Sequence, residues 1–173
     1  ANGIHKAGIK MEYILFDDCY MSSIEAIYDL KDVTDYFIAC PTEILIDGMP
    51  YAKIASYLLG NVDYEAIRNA FVEHYASGTI AVTVCSELDR LATVMKEINR
   101  NYEFESSLES LIQPMDGYSP GLLFDYGDYV AKLCKNENLL KEFEEQLERA
   151  VPSNYKGHCG RYPTNRKGSQ PIS

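Results

Sequence analysis

The residues best able to do chemistry lie in the segment ILFDDCYMSS, residues 14–23, where a thiol follows two carboxylates. Three apolar residues, typical of a buried strand, lead into Asp17, Asp18 and Cys19, and a helical pattern capped at Ser22 follows. In open α/β sheets, functional side chains gather just beyond the carboxyl ends of the strands. A thiol there also meets the positive end of the next helix dipole, which favours the reactive thiolate. Cys19 is therefore a candidate nucleophile.

The two carboxylates have different expected roles. If strand geometry continues to Cys19, then Asp17 and Cys19 face one way and Asp18 the other. An acid beside a thiol opposes thiolate formation, so Asp17 suits recognition of a substrate cation better than activation of the thiol. Two alternatives stay open: Cys19 as a purely structural thiol, and the aspartates as a Mg²⁺ or phosphoryl-transfer site. The latter needs a Lys, Ser or Thr at a later strand end, where Ser86 is a weak match.

Length and composition indicate one globular domain with a substantial core, since 173 residues contain 46% hydrophobic and 24% charged residues. No apolar run is long enough to cross a bilayer, so no membrane span is expected. The formal net charge of −10 argues against a nucleic-acid partner. We expect an α/β core over residues 1–151 and a basic polar tail over 152–173, with its four lysines and arginines and no acid.

Hydrophobic periodicity predicts an α/β fold with a mostly parallel sheet and helices on both faces. Strands are expected at 11–17, 35–40 and 79–85. Helices are expected at 22–33, 50–60, 63–77, 86–102, about 125–135 and 137–150. Ser22, Asp63 and Ser86 are the expected N-caps. Cys40 and Cys85, which end apolar runs, are expected in the core.

The segment 12–51 closely resembles the clostripain-like cysteine peptidases, which have the caspase–hemoglobinase α/β fold. In that family a strand leads into an Asp-Ala-Cys-x-Met motif, followed by a helix, a second strand, a Ser-Pro-Glu-Glu-Ile-like turn and an Asp-Gly-x-Pro-Tyr motif. The sequence here reads FDDCYMSSIEAIYDL and then TDYFIACPTEILIDGMPY. Several independent landmarks thus occur in the right order over about forty residues.

The resemblance implies a cysteine endopeptidase that cleaves protein or peptide substrates after Arg or Lys. Cys19 matches the nucleophile of the family, and Asp17 and Asp47 match the acids that shape the pocket for the basic residue. Two carboxylates in a pocket pair with a long basic side chain and penalise other residues through unpaired charge. Without the resemblance, Asp47 and its following glycine would indicate only a turn.

The sequence departs from the family pattern at two points. Asp18 replaces the small residue usual before the cysteine, and no His-Gly motif, which supplies the base and part of the oxyanion hole, occurs. Neither His5, His74 nor His158 lies in a suitable context. The resemblance therefore implies that the chain is a cysteine-bearing fragment with an incomplete fold. The catalytic histidine would lie on an N-terminal fragment, and the tail would continue into a missing C-terminal part.

Three hypotheses follow. The first is the endopeptidase with a Cys/His dyad, the second a catalytically inactive relative that serves as a binding module, and the third the carboxylate site at Asp17 and Asp18. No cofactor is expected to be required, and calcium enters only through the family resemblance. The resemblance also implies export from the cytoplasm and processing from a zymogen.

Overall fold

The computed structural model describes residues 1–75 and 78–152. Its strands are β1 (Met11–Leu15), β2 (Thr34–Ala39) and β3 (Ala81–Val84). Its α-helices are α1 (Asn2–Lys6), α2 (Ile24–Leu30), α3 (Tyr51–Ile54), α4 (Tyr64–His74), α5 (Leu88–Asn101), α6 (Tyr126–Leu133) and α7 (Glu137–Ala150). Short 3₁₀ helices lie at Cys85–Glu87 and Ser106–Leu111. The predicted tail lies outside the described residues from position 153 onward.

The three strands form one sheet in the order β1-β2-β3. Strands β1 and β2 are parallel, as predicted, with Leu15 opposite Ile38. Strand β3 differs from the expected parallel arrangement, because it runs antiparallel to β2 with Ala39 opposite Ala81. The reason is that the segment containing α3 and α4 brings the chain back to the carboxyl end of β2, where β3 begins. Thr42, just after β2, is hydrogen-bonded through its hydroxyl to Thr79, just before β3.

Helices cover both faces of the sheet, which confirms the predicted α/β class. Phe37 and Ala39 of β2 pack into a cluster with α2, α5, α6 and α7, whereas Ile38 and the following Cys40 pack into a second cluster with α3 and α4. Phe37 is completely buried and stacks on Phe16, with ring centroids 5.0 Å apart. Burial of one such side chain contributes about 1.5–3 kcal/mol.

The observed N-caps of the helices agree only in part with the predicted ones. Asp63 caps α4 as predicted, because its side chain accepts a hydrogen bond from the Ala66 N–H. The cap of α2 is Ser23 rather than Ser22, since Ser23 Oγ is the acceptor for the Ala26 N–H. Helix α5 begins at Leu88 without a side-chain cap, because the 3₁₀ turn at Cys85–Glu87 takes the place of the predicted start at Ser86.

The helix predicted over 50–60 is the most shortened element, because only Tyr51–Ile54 is α-helical. Beyond Ile54 the Tyr57 N–H donates to Ile54 C=O, one residue short of the α-helical spacing. Gly60 then adopts φ +75°, which ends any helical continuation. No helix in residues 1–75 or 78–152 is long and apolar enough to cross a membrane.

Candidate active site

Cys19 lies on a tight turn rather than on a continuation of the strand. Pairing with β2 ends at Phe16, whose N–H donates to Ile38 C=O at 2.9 Å. The Cys19 N–H then donates to Asp18 Oδ1 at 2.8 Å, and Tyr20 adopts φ +59°. Strand geometry therefore does not continue to residue 19, and the alternation that depended on it does not apply, because the carboxylate of Asp18 stabilises a turn at that point.

The thiol of Cys19 is half-buried against the loop that follows β2. The Ile44 N–H donates to Sγ at 3.4 Å, and Sγ is 3.6 Å from Ile44 O. Two backbone bonds hold the turn to this loop: Tyr20 N–H donates to Thr42 O at 3.1 Å, and Ser22 N–H to Cys40 O at 3.2 Å. The backbone of Ile44 therefore contacts the sulfur through both its N–H and its carbonyl group.

Asp17 points to the same loop, although it does not share a strand face with Cys19. Its Oδ1 accepts a hydrogen bond from the Met49 N–H at 2.7 Å. Between Asp47 and Met49, Gly48 adopts φ +65°, and a Cβ there would lie 2.8 Å from both Asp17 carboxylate oxygens. Glycine adopts this turn without strain, whereas any side chain would be strained at this φ and would displace the Asp17 carboxylate. Asp17 and Asp47 are both exposed to solvent.

Two tyrosine hydroxyls lie beside this pair of carboxylates. Burial raises the pKa of Tyr51, and a hydrogen bond to Asp17 raises it further. Burial also raises the pKa of Tyr75, with further contributions from the negative charges of Asp47 and then Asp17. One buried phenol thus lies within electrostatic reach of both carboxylates, which places the two predicted substrate-binding residues around the same turn.

Two other thiols, Cys40 and Cys85, are poorly suited to nucleophilic chemistry. Burial raises the pKa of Cys40 to about 12, and the nearby charges of Asp17 and Cys19 add to the shift. Burial and, next, the carboxylate of Asp35 raise the pKa of Cys85 to about 11. Both thiols are buried, as predicted. Cys40 and Cys85 therefore stay protonated at neutral pH.

Neither described histidine contacts the thiol. His5 lies in α1, and His74 is the exposed last residue of α4, where its ring meets the Tyr75 ring edge-on at a centroid distance of 4.5 Å. The hydrogen-bond partner of Cys19 Sγ is the backbone of Ile44. His158 lies outside the described residues. The described part of the chain therefore does not bring a histidine base to Cys19.

A loop distant in sequence lies within electrostatic reach of Tyr20, the residue after the thiol. Burial and the carboxylate of Glu43, which is also its hydrogen-bond partner, raise the pKa of Tyr20 to about 12, and Asp116 adds to the shift. Asp116 organises its own loop by accepting backbone N–H bonds from Tyr118 at 3.0 Å and Leu122 at 2.7 Å. Sequence reasoning missed the position of this loop and both tyrosines, Tyr51 and Tyr75, beside the turn at residues 47–49, which is called the acidic turn. Only Tyr51, inside the Asp-Gly-x-Pro-Tyr motif, carried a sequence signal.

Across residues 1–75 and 78–152, no three His, Cys, Asp or Glu side chains form a group that could hold a metal ion. The carboxylate of Asp17 is engaged with the Met49 N–H, and that of Asp18 with the Cys19 N–H. The two aspartates therefore point to different backbone partners rather than to a common centre.

Cys19 is thus a half-buried thiol with an N–H donor at its sulfur, on a turn beside two carboxylates. The sequence model of the clostripain family matches residues 4–167. The chain belongs to this family of cysteine proteases. Comparison with curated proteins gives no match.

Solved structures of the same family superpose on the chain. A clostripain from Bacteroides thetaiotaomicron ATCC 29148, in complex with the peptide inhibitor BTN-VLTK-AOMK, is 60% identical with a TM-score of 0.85, over 87% of this chain and 70% of that chain. The secreted C11 cysteine protease "iotapain" from B. thetaiotaomicron is also 60% identical with a TM-score of 0.85, over 87% of this chain and 44% of that chain.

A more distant relative has the same architecture. An inactive zymogen C11 protease from Parabacteroides distasonis is 33% identical with a TM-score of 0.76, over 90% of this chain and 48% of that chain. The chain spans less than half of the length of this protease and of iotapain. The predicted caspase–hemoglobinase-like fold, of which the chain holds only a part, is confirmed.

Proposed function

We propose that the native protein is a cysteine endopeptidase that cleaves peptide bonds after Arg or Lys, with Cys19 as its nucleophile. The observation that carries the proposal is the convergence of the thiol and two carboxylates on one loop: Ile44 contacts Sγ, and Met49 contacts Asp17. Family membership supports the protease class, and the acidic turn supports the choice of a basic residue.

The proposed reaction begins when the Cys19 thiolate attacks the carbonyl carbon of the scissile peptide bond. The carbon–nitrogen bond breaks, the amine leaves with a proton from a histidine, and a thioester remains on Cys19. Water, losing its proton to the same histidine, then attacks the thioester carbonyl; the carbon–sulfur bond breaks, the acyl part leaves as a carboxylic acid, and the thiolate is restored beside the protonated histidine. Before this, Asp17 and Asp47 pair with the guanidinium or ammonium group of the substrate and fix the carbonyl beside the sulfur.

The histidine would come from a second, N-terminal fragment that docks along β1. Side chains of β1 pack into both hydrophobic clusters, Ile14 on one face and Tyr13 and Leu15 on the other, which is typical of a strand inside a sheet. In residues 1–75 and 78–152, however, β1 pairs only with β2. A strand added at the free edge would satisfy its backbone groups and bring a residue next to the carboxyl end of β1.

The relatives of known structure support the finer points of the proposal. The inhibitor bound to the B. thetaiotaomicron clostripain has lysine next to its AOMK group, which agrees with a basic residue before the scissile bond. One relative is described as secreted and another as an inactive zymogen, which supports export and activation by processing. We expect the activity to need no cofactor, so cleavage should persist in EGTA. If EGTA abolishes cleavage and added calcium alone restores it, the protein instead depends on calcium, as the family resemblance allows.

The test is cleavage of fluorogenic peptides that differ only in the residue before the scissile bond, by the native protein with any segments beyond Ala1 and Ser173. We expect cleavage of Arg and Lys peptides and none with Cys19→Ala. Cys134→Ala is the matched control, because that thiol is buried at the end of α6 and should leave the preference unchanged. Native protein that cleaves no peptide would favour the binding-module hypothesis. Cleavage that survives Cys19→Ala and is abolished by a chelator would favour the carboxylate site.

A further inference from the structure

Tyr75 is held rigidly at the point where α4 ends. It directly follows His74, the last helical residue, and is 7% exposed. Its ring packs against Phe71 at a centroid distance of 5.1 Å and belongs to the cluster that contains Ile38 and Met49. The hydroxyl therefore has a fixed direction, since the ring cannot change rotamer without leaving the core.

That hydroxyl bonds one end of a peptide unit whose other end is held by Asp17. Tyr75 Oη donates to Gly48 C=O at 2.5 Å, and the Met49 N–H donates to Asp17 Oδ1 at 2.7 Å. The Gly48 carbonyl and the Met49 N–H belong to the same peptide group, so its plane is fixed from both sides. Such support is needed because a turn with glycine at positive φ has alternative orientations of similar energy.

We propose that Tyr75 is a positioning residue for substrate selection: by fixing the Gly48–Met49 peptide, it holds Asp47 and Asp17 in the arrangement that receives the basic side chain. The inference rests on the proposed function and deepens it. If the hydroxyl is lost, the peptide is free to rotate, the Met49 N–H leaves Asp17, and Asp47 moves with the turn. A single buried hydroxyl then governs both carboxylates.

The chemistry of the phenol suits this role. Burial, followed by the charges of Asp47 and Asp17, raises the pKa of Tyr75, so the hydroxyl remains a neutral donor throughout the range in which peptidases work. A neutral donor adds no negative charge to the pocket. It also binds the Gly48 carbonyl rather than a carboxylate oxygen, so it does not compete with the substrate cation for Asp17 or Asp47.

The test compares Tyr75→Phe with Tyr13→Phe in the native protein. Tyr13 is a matched control, because its hydroxyl also donates to a backbone carbonyl, that of Leu58 at 2.9 Å, and its ring packs against the same cluster. For Tyr75→Phe we expect KM for Arg and Lys peptides to rise about tenfold with little change in kcat, as expected for the loss of one well-placed hydrogen bond. The inhibition constant of benzamidine, a small cation that resembles the arginine head group, should rise in parallel.

Tyr13→Phe should leave the KM and the benzamidine constant within about twofold of wild type, even if it lowers Tm as much as Tyr75→Phe. A double variant, Asp17→Ala with Tyr75→Phe, should lose less preference than the sum of the two single variants, because Asp17→Ala already releases the Met49 N–H that holds the same peptide group from its other side. Equal effects of the two tyrosine variants, or additive losses in the double variant, would overturn the inference. Wild-type protein that does not cleave basic peptides would instead overturn the proposed function itself.

Discussion

Asp17 and Met49 are joined across 32 residues by a hydrogen bond of 2.7 Å between the Met49 backbone nitrogen and Asp17 Oδ1. The bond connects the end of the first strand to the turn that carries Asp47. Asp17 therefore has two separable functions in the proposed site. Its oxygen accepts the hydrogen bond that supports the turn, and its negative charge attracts the substrate cation. An exposed carboxylate can do both, because each oxygen accepts more than one hydrogen bond.

The two functions of Asp17 can be separated by Asp17→Asn. The amide oxygen can still accept the Met49 N–H, so we expect a Tm within a few degrees of wild type. The lost charge removes a charge-assisted hydrogen bond, so kcat/KM for Arg and Lys peptides should fall about 10- to 100-fold relative to peptides with neutral residues. Steady-state kinetics on the peptide series measure this ratio.

The control for this variant is Asp29→Asn, which removes one exposed charge from α2 and therefore changes the net charge of the protein by the same amount. It should leave the ratio unchanged. A preference for basic residues that survives Asp17→Asn would remove Asp17 from the proposed pocket and leave it with a structural role alone.

Gly48 should be the least replaceable residue of the acidic turn. Alanine there would adopt φ +65° and place its Cβ 2.8 Å from both carboxylate oxygens of Asp17. The left-handed conformation alone costs about 1–2 kcal/mol. The clash adds to this and should displace Asp17, so Gly48→Ala should also abolish the preference for basic peptides.

Gly60→Ala separates conformational strain from the clash. Gly60 has φ +75°, but no atom lies within 4 Å of a Cβ placed there. Urea denaturation should show a loss of about 1–2 kcal/mol for this variant, with the peptide preference intact. If Gly48→Ala behaves in the same way as Gly60→Ala, the Asp17 carboxylate does not define the turn.

Thiol reactivity should follow the burial of each cysteine. With pKa values raised to about 12 and about 11, Cys40 and Cys85 bind their protons through neutral and mildly alkaline pH and lose them only as the pH approaches those values. Iodoacetamide at pH 8 should therefore modify half-buried Cys19 in the native protein and spare these two. Peptide mapping by mass spectrometry after a short exposure gives the extent of modification at each site.

The same mapping after unfolding in urea is the control, because burial no longer protects Cys40 and Cys85 there. Both thiols should then react at rates similar to that of Cys19. Rapid modification of Cys40 in the folded protein would mean that the region behind the acidic turn opens to solvent, and it would weaken the assignment of Cys19 as the reactive thiol.

Local sequence patterns predicted the elements whose signals are contained within them. Helix α7 begins and ends where its periodicity predicts, and α4 begins at its Asp63 cap, because both depend on neighbours three or four residues apart. The core positions of Cys40 and Cys85 followed from the apolar runs that precede them. The motif around Cys19 predicted the family, since its landmarks are short, ordered and independent.

The tertiary structure alone decided how these parts meet. The direction of β3 depends on where α3 and α4 return the chain. The hydrogen bond between Thr42 and Thr79 shows that they return it to the carboxyl end of β2, and no local sequence pattern predicts this. Tyr75 looks like an ordinary helix-end aromatic residue in the sequence, yet its hydroxyl reaches Gly48, 27 residues away. Periodicity reports which face of an element is apolar, whereas a hydrogen bond between distant loops exists only after packing has brought their atoms within 3 Å of each other.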